Sequence, residues 1–332
     1  MQIAPRAPWA QIATPLGMSA ATAARRWERI AQRGDAWISG YNTTRGTSGG
    51  ALVEVDCDAN DVRSVAAELA TSPRTATIET TSGGRDLVLT VLTKSINELS
   101  DYLEEVNNVP GVRSIRSHVI TILFTNAAQW RLNALEPGQE SAIQQLAPPR
   151  PSGRPRPMDQ LDQQLSVALS RDGRASASDL AHELSVSVNT VRRRLVHLTD
   201  SGVLDIRCDI TRAVTGHELA ATLWIRVPPP DLAHYARTIA HLPQIRLVAS
   251  VTGPHNLLVM AWLRHAADLP TFESQLTEHT PTVHIEDRAV TLRTIKHVGR
   301  LLDDHGRARE LVPVDIWTAI PRATHPLLQA TD

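Results

Sequence analysis

Residues 187–195 read Ser-Val-Asn-Thr-Val-Arg-Arg-Arg-Leu and residues 19–27 read Ser-Ala-Ala-Thr-Ala-Ala-Arg-Arg-Trp, two stretches that align without a gap at an offset of 168. In each, a Ser precedes the first helical position and a Thr follows three residues on, the hydroxyl pattern that caps a helix start. Val191, Leu195 and Leu198 then share one helical face, while Asn189, Arg193 and Val196 point the other way with Arg192 beside them. In the earlier stretch Ala23, Trp27 and Ile30 make the apolar face, with Ala21, Arg25 and Glu28 outward. Gly202 and Gly34 end the two helices.

Working upstream from residue 187, Ser176 and Asp179 form a capping-box pattern that opens a short helix through Ala181 and Leu184, followed by a turn at Ser185-Val186. Leu161, Leu165, Ala168 and Leu169 give a first helix that stops at Asp172-Gly173. Three such helices make a helix-turn-helix whose last helix is sized for the DNA major groove. Arg can bind guanine in bidentate fashion and Asn can bind adenine, while hydroxyls and amides at a helix start favour phosphate. The candidate DNA contacts are therefore Ser19, Thr22, Arg25, Arg26 and Arg29, and Ser187, Asn189, Thr190, Arg192, Arg193 and Arg194. The earlier copy has no room for its first helix, because its second begins near Pro8-Trp9; a start placed too far downstream is the expectation, a truncated module the alternative.

Downstream the copies continue at an offset of 170, with Pro73, Gly83, Leu87, Ile115 and Thr121 meeting Pro243, Gly253, Leu257, Ile285 and Thr291. Periodicity gives strand, helix, strand, strand, helix, strand over Ala51 to Phe124 and again over Leu219 to Ile295. The fold class is α+β: two winged-helix or helix-turn-helix modules, each followed by a ferredoxin-like βαββαβ sandwich whose open sheet face needs a partner. The expected domains are helix-turn-helix 1–45, sandwich 48–126, helix plus Pro/Arg linker 127–157, helix-turn-helix 158–212, sandwich 215–300 and a tail 301–332. Residues 148–157, half proline, read as an extended spacer, Gly46-Thr47-Ser48-Gly49-Gly50 as a flexible connection, and the tail as a partly ordered extension.

Composition narrows the class. Lys plus Arg total 34 and Asp plus Glu 35, a net charge of -1 that neither demands nor excludes a polyanion. That neutrality is an average, since residues 1–42 carry five Arg against one Glu and one Asp. The two cysteines, Cys57 and Cys208, form no metal or disulfide framework, and no apolar run reaches the roughly 18 residues of a membrane span, so a soluble cytoplasmic protein is expected. There is no GxSxG, no phosphate-cradling Gly-Lys-Ser/Thr and no HExxH, so no catalytic residue, metal ligand or cofactor is assigned.

A helix-turn-helix with Ser-Val-Asn-Thr-Val-Arg-Arg-Arg-Leu, then a sandwich with Thr-Gly-Pro-His-Asn-Leu between its central strands, resembles the Lrp/AsnC transcriptional regulators, over nearly the whole chain and twice. The resemblance implies binding to double-stranded operator DNA and pairing of sandwiches through their sheets. It also implies an amino-acid or other small-metabolite effector near a Gly-x-x-Asp turn. Here Gly83-Gly84-Arg85-Asp86 keeps that pattern and Gly253-Pro254-His255-Asn256 replaces Asp by Asn. Gly83, Gly84, Asp86, Gly253, His255 and Asn256 are the candidate effector residues, with a plain hairpin turn as the structural alternative. Fusion of unlike copies predicts a built-in heterodimer that reads an imperfect palindrome, and further homo-oligomerisation.

Siroheme decarboxylases also resemble this arrangement, some as fused pairs. Twelve of 13 histidines lie after residue 180, with His234, His241, His255, His265 and His297 as candidate tetrapyrrole groups. The His-Tyr-x-Arg cluster of that family is missing, since Asn256-Leu257-Leu258-Val259-Met260 reads as an apolar strand, so no enzymatic activity is expected. A partner of a full-length regulator that does not itself bind DNA is the remaining alternative.

Overall fold

The computed structural model describes residues 1–43, 49–127, 129–148, 151–278 and 282–318. The first part of the chain runs α1 (Trp9–Ala13), α2 (Ala20–Gln32), β1 (Ala36–Asn42), β2 (Gly49–Cys57), α3 (Val62–Ala70), β3 (Thr75–Thr81), β4 (Leu87–Thr93), α4 (Ile96–Asn107) and β5 (Val112–Thr125). After α5 (Pro137–Gln144) the order returns as α6 (Gln160–Arg171), α7 (Ala177–Glu183), α8 (Val188–Asp200), β6 (Leu204–Ile210), β7 (Leu219–Arg226), α9 (Leu232–Ala240), β8 (Ile245–Val251), β9 (Leu257–Leu263), α10 (Asp268–Glu278) and β10 (His284–His297). Two short strands close the described chain, β11 (Arg300–Leu302) and β12 (Ala308–Leu311).

The capping logic holds at both α2 and α8. Ser19 Oγ accepts the Thr22 amide at 3.1 Å, and Ser187 Oγ accepts the Thr190 amide at 3.1 Å. Behind α8, Leu165 and Leu169 of α6, Leu180 of α7 and Val191 and Leu198 form a small closed core. Ile30, the residue matching Leu198 at the offset, is 40% exposed, which corrects its assignment to a buried face. Leu198 packs with Leu165 and Leu169 of α6, whereas among the described residues Ile30 belongs to no buried cluster.

Each βαββαβ unit buries one sheet face under its own helices. Val53, Val55, Leu87 and Leu89 meet Val65 and Leu69 of α3 and Leu99 and Val106 of α4; Leu223, Ile225, Leu257 and Val259 meet Ile239 of α9 and Phe272 of α10. The other faces meet each other. Leu52 and Val88 pack against Trp224, Ala249, Leu258 and Ala289 in a core that belongs to neither unit alone, each buried Leu or Val side chain contributing on the order of 1.5–3 kcal/mol.

The last strand of each unit is shared. Ala51 to Cys57 of β2 pair with Val119 to Val112 on the first half of β5, and the second half, Ile120 to Thr125, pairs with β8. Likewise His284 to Val290 of β10 pair with β7, and Thr291 to Lys296 with β3. The two sheets thus close on each other, each unit lending a strand end to the other.

A second junction is the ribbon of β1 and β6, antiparallel with Ser39 opposite Arg207, its own counterpart at the offset of 168. Around it the halves exchange matched contacts: Arg6 donates to the carbonyls of Gly173 and Ala175, and Arg174 donates to those of Pro5 and Ala7. The two sets of contacts are reciprocal, Arg6 and Arg174 being separated by the same offset of 168.

Two expectations change. Gly49 and Gly50, read as flexible connection, begin β2, while 46–48 lie outside the described residues. Residues 36–42 and 204–210, given no strands within the expected domains 1–45 and 158–212, form the paired ribbon. Of the tail, expected as a partly ordered extension, the described residues reach 318: β11 and β12 extend the sheet, the Ala308 amide donates to the Gly34 carbonyl at 2.9 Å, and Arg307 pairs with Asp35 at 3.2 Å.

Candidate functional site

On α8, Asn189, Arg192, Arg193 and Val196 are exposed on one side. Arg194 is not available in the same way, since its guanidinium meets Asp159 at 2.6 Å and Asp162 at 3.2 Å and so braces α8 against the start of α6. On α2, Arg25, Arg26 and Arg29 are exposed, with Ala21 and Glu28 beside them. Ser19, Thr22, Ser187 and Thr190 are held in the caps described above. The two helices therefore present unlike faces, one with Asn and Arg, the other with Arg, Ala and Glu.

The two glycine turns have the left-handed backbone their glycines allow, at φ 96° for Gly83 and 114° for Gly253. Each rests on the crossing strand of the other unit: Ser82 N–H donates to the Val290 carbonyl at 2.9 Å, and Thr252 N–H to the Val119 carbonyl at 3.0 Å. Asp86 accepts the Cys57 amide at 2.8 Å, and Asn256 does the same for Val227 at 2.9 Å while its amide group donates back to the Val227 carbonyl at 2.8 Å. Asp and Asn here do one job, tying the turn to a neighbouring strand end. Beside the first turn, buried Glu54 takes Arg85 at 3.1 Å, Arg116 at 3.0 Å and His118 at 2.9 Å, and Arg85 stacks over Trp224 at 4.0 Å. Burial opposes the Glu54 charge, but His118, Arg85 and Arg116 hold its carboxyl below the usual range. Charge at this place is already matched by the chain's own groups.

The large cavity lies elsewhere, between the two sheets and the β1–β6 ribbon, with a volume of about 560 Å³. None of Gly83, Gly84, Asp86, Gly253, His255 or Asn256 lines it. Apolar walls come from Leu92, Ile120, Leu123, Leu247 and Met260, and the ribbon contributes Tyr41, Asn42, Arg207 and Ile210. At its side Arg246, 6% exposed, lies between Trp262 at 3.9 Å and Trp130 at 4.7 Å. No carboxylate among the described residues pairs with it within 4.0 Å; burial, aided by Arg207 and opposed by the more distant Asp209, pushes its pKa down to about 9. Arg207 by contrast is paired with Asp209 at 2.8 Å. His297 also lines the cavity; burial drives its pKa down to about 4, so it is neutral, and its Nε2 is buried without a hydrogen-bond partner.

Of the histidines proposed for a tetrapyrrole, only His297 borders this cavity; His234, His241, His255 and His265 do not. Sequence reasoning missed Arg246, Trp130 and Trp262, which stand far apart in the chain. Among the described residues no group of His, Cys, Asp or Glu is placed to hold a metal ion, and no helix is long and apolar enough to cross a membrane.

A profile of the Lrp/AsnC ligand binding domain matches residues 50–122, and one of the AsnC-type helix-turn-helix domain matches residues 158–199. An uncharacterised HTH-type transcriptional regulator of Pyrococcus horikoshii is 29% identical over 116 residues, 35% of this chain and 78% of that protein. The HTH-type transcriptional regulator Ptr1 of Methanocaldococcus jannaschii is 26% identical over 142 residues, 42% of this chain and 95% of that protein. Among solved structures, the siroheme decarboxylase NirDL in co-complex with an iron-uroporphyrin III analogue superposes with a TM-score of 0.59 at 15% identity, over 88% of each chain. A second structure of NirDL gives 0.59 at 14% identity, over 88% of this chain and 87% of that one.

That likeness is one of fold, and it overturns the expectation that the chain is no enzyme. The architecture it shares almost from end to end is a decarboxylase's, so the absence of His-Tyr-x-Arg from one strand does not exclude activity. At the level of domains, the chain carries an Lrp/AsnC ligand binding domain and an AsnC-type helix-turn-helix domain, and its relatives are HTH-type transcriptional regulators.

Proposed function

We propose that the chain is a sequence-specific, DNA-binding transcriptional regulator built as a tandem duplication, in which one chain does what a homodimer of two identical subunits would do. The observation that carries this reading is the AsnC-type helix-turn-helix at 158–199, whose last helix exposes Asn189, Arg192 and Arg193 together. The reciprocal Arg6 and Arg174 contacts and the shared strands support the duplication. Two unlike reading faces, α2 and α8, then favour an imperfect palindrome, and a small-molecule effector and further oligomerisation belong to the same reading. An electrophoretic shift of the full chain on DNA upstream of its own gene, repeated at several salt concentrations, tests it. Binding should weaken steeply with salt as phosphate contacts are lost, and a chain that binds no duplex at any salt refutes it.

A second reading is favoured by a specific observation, the likeness to siroheme decarboxylase over 88% of the chain. Under it, the cavity holds a tetrapyrrole with carboxylate groups, Arg246 facing one of them and His297 beside the ring. Anaerobic addition of siroheme, followed by absorbance and by carbon dioxide release, decides it: a shifted spectrum with gas release supports this reading, and an unchanged spectrum rejects it.

A further inference from the structure

A buried guanidinium between two indoles, with no carboxylate at ion-pair distance, is costly to leave without a direct partner. Arg246 is that group: it is 6% exposed, stacked on Trp262 and Trp130, and lines a cavity whose remaining walls are largely apolar. Other charged residues at the cavity are satisfied within the protein. Arg293 pairs with Asp304, Asp303 with Arg309 at 2.6 Å, and Glu218 with His265 at 3.2 Å; the Glu79 carboxylate accepts from Thr291 at 3.2 Å, and Arg212, the other cavity cation with no ion pair among the described residues, donates to the Glu218 carbonyl at 3.0 Å and is favoured by the Glu79 charge. The position is specific to the second copy: at the offset of 170 Arg246 corresponds to Ala76, so the cation is present once per chain. The cavity also reaches Tyr41, Asn42 and Thr43 on β1 and Arg207 and Ile210 on β6, the ribbon that follows α2 and α8 directly in the chain.

We propose that this cavity is a regulatory site for one organic anion with an apolar body, its negative group docked on Arg246, and that its occupancy is passed through the β1–β6 ribbon to the two reading helices. The site differs from the glycine turns, where Glu54 and its cationic partners leave no unmatched charge. Only the coupling to DNA rests on the regulator reading; ligand binding stands by itself.

The probe is 8-anilino-1-naphthalenesulfonate, a flat apolar anion, titrated by fluorescence into the full chain, with N-phenyl-1-naphthylamine as its uncharged analogue. One site per chain is expected for both. Arg246→Met should weaken the sulfonate about tenfold or more, a loss of about 1.4 kcal/mol or more, and leave the uncharged probe within about twofold, while Arg246→Lys keeps most of the sulfonate affinity. Equal binding of the sulfonate by wild type and Arg246→Met overturns the proposal, as does equal loss of both probes in a variant with wild-type thermal midpoint. Met260→Trp, which fills the cavity and keeps the cation, should abolish both probes; unchanged binding there also overturns it. In the DNA arm, saturating sulfonate should change operator affinity at least threefold in wild type and not in Arg246→Met. Arg246-dependent binding without any change in DNA affinity overturns the coupling. Arg246-dependent binding in a chain that never binds DNA rejects the regulator reading and leaves the site intact.

Discussion

Lys296 gives the sharpest quantitative prediction. It lies on β10 of the second unit, is completely buried, and donates to the carbonyls of Ala70 at 3.0 Å and Ser72 at 2.7 Å, where α3 of the first unit ends. Burial pushes its pKa from 10.5 down to about 7. In the unfolded chain the amine stays protonated up to its ordinary value, so above pH 7 the unfolded state binds more protons than the folded one and stability rises with pH. The slope reaches about 1.4 kcal/mol per pH unit between the two values and vanishes below the folded one. Across the whole window the gain is at most about 5 kcal/mol, reduced because two carbonyls at a helix C-terminus favour the ammonium. Urea unfolding of wild type and Lys296→Met from about pH 6 to 10 isolates the effect, since every other titration is common to both proteins. The stability difference should move toward wild type by about 2–4 kcal/mol between roughly pH 7 and 10, and stay flat below. A difference that does not depend on pH refutes the reasoning.

The other predictions concern turns and tail. Asp86→Ala and Asn256→Ala each strand a strand-end amide and should cost about 1–3 kcal/mol in urea unfolding, with binding of the naphthalene sulfonate unchanged; a loss of that binding without loss of stability would return the turns to the ligand. Gly34→Ala places a methyl against the Ala308 backbone at a φ of 74°, and should lower the thermal midpoint and expose β12 to limited proteolysis. A protease pattern identical to wild type counts against the tail being clipped there.

Much of the fold was readable because amphipathic periods are regular in both parts of the chain: β3 begins and ends where alternation placed it, and α2 and α8 follow their Ser caps. The ribbon escaped because Ala36 to Gly40 are all buried, which erases the alternation that marks a half-exposed strand. Ile30 misled although its apolar spacing is real, since no described helix covers it as α6 covers Leu198. Asp86 and Asn256 looked like a gain and loss of chemistry, yet both side chains accept a strand-end amide, the part of the role that carboxylate and amide oxygens share, and only Asn256 also donates, to the Val227 carbonyl. The cavity was invisible because Arg207, Arg246, Trp130 and Trp262 meet only when ribbon, linker and sheet close around one space, which no local pattern encodes.

The central claim is that one chain presents two unlike reading helices about an internal pseudo-twofold axis. Nuclease footprinting of the full chain on the duplex it selects tests this most directly, comparing wild type with Arg25→Ala/Arg26→Ala and with Arg192→Ala/Arg193→Ala. Two adjacent, non-identical half-sites should be protected, each pair of substitutions should erase a different half, and both variants should keep the wild-type thermal midpoint. A footprint that survives intact without Arg192 and Arg193, or one that depends on them alone across both halves, would contradict the account.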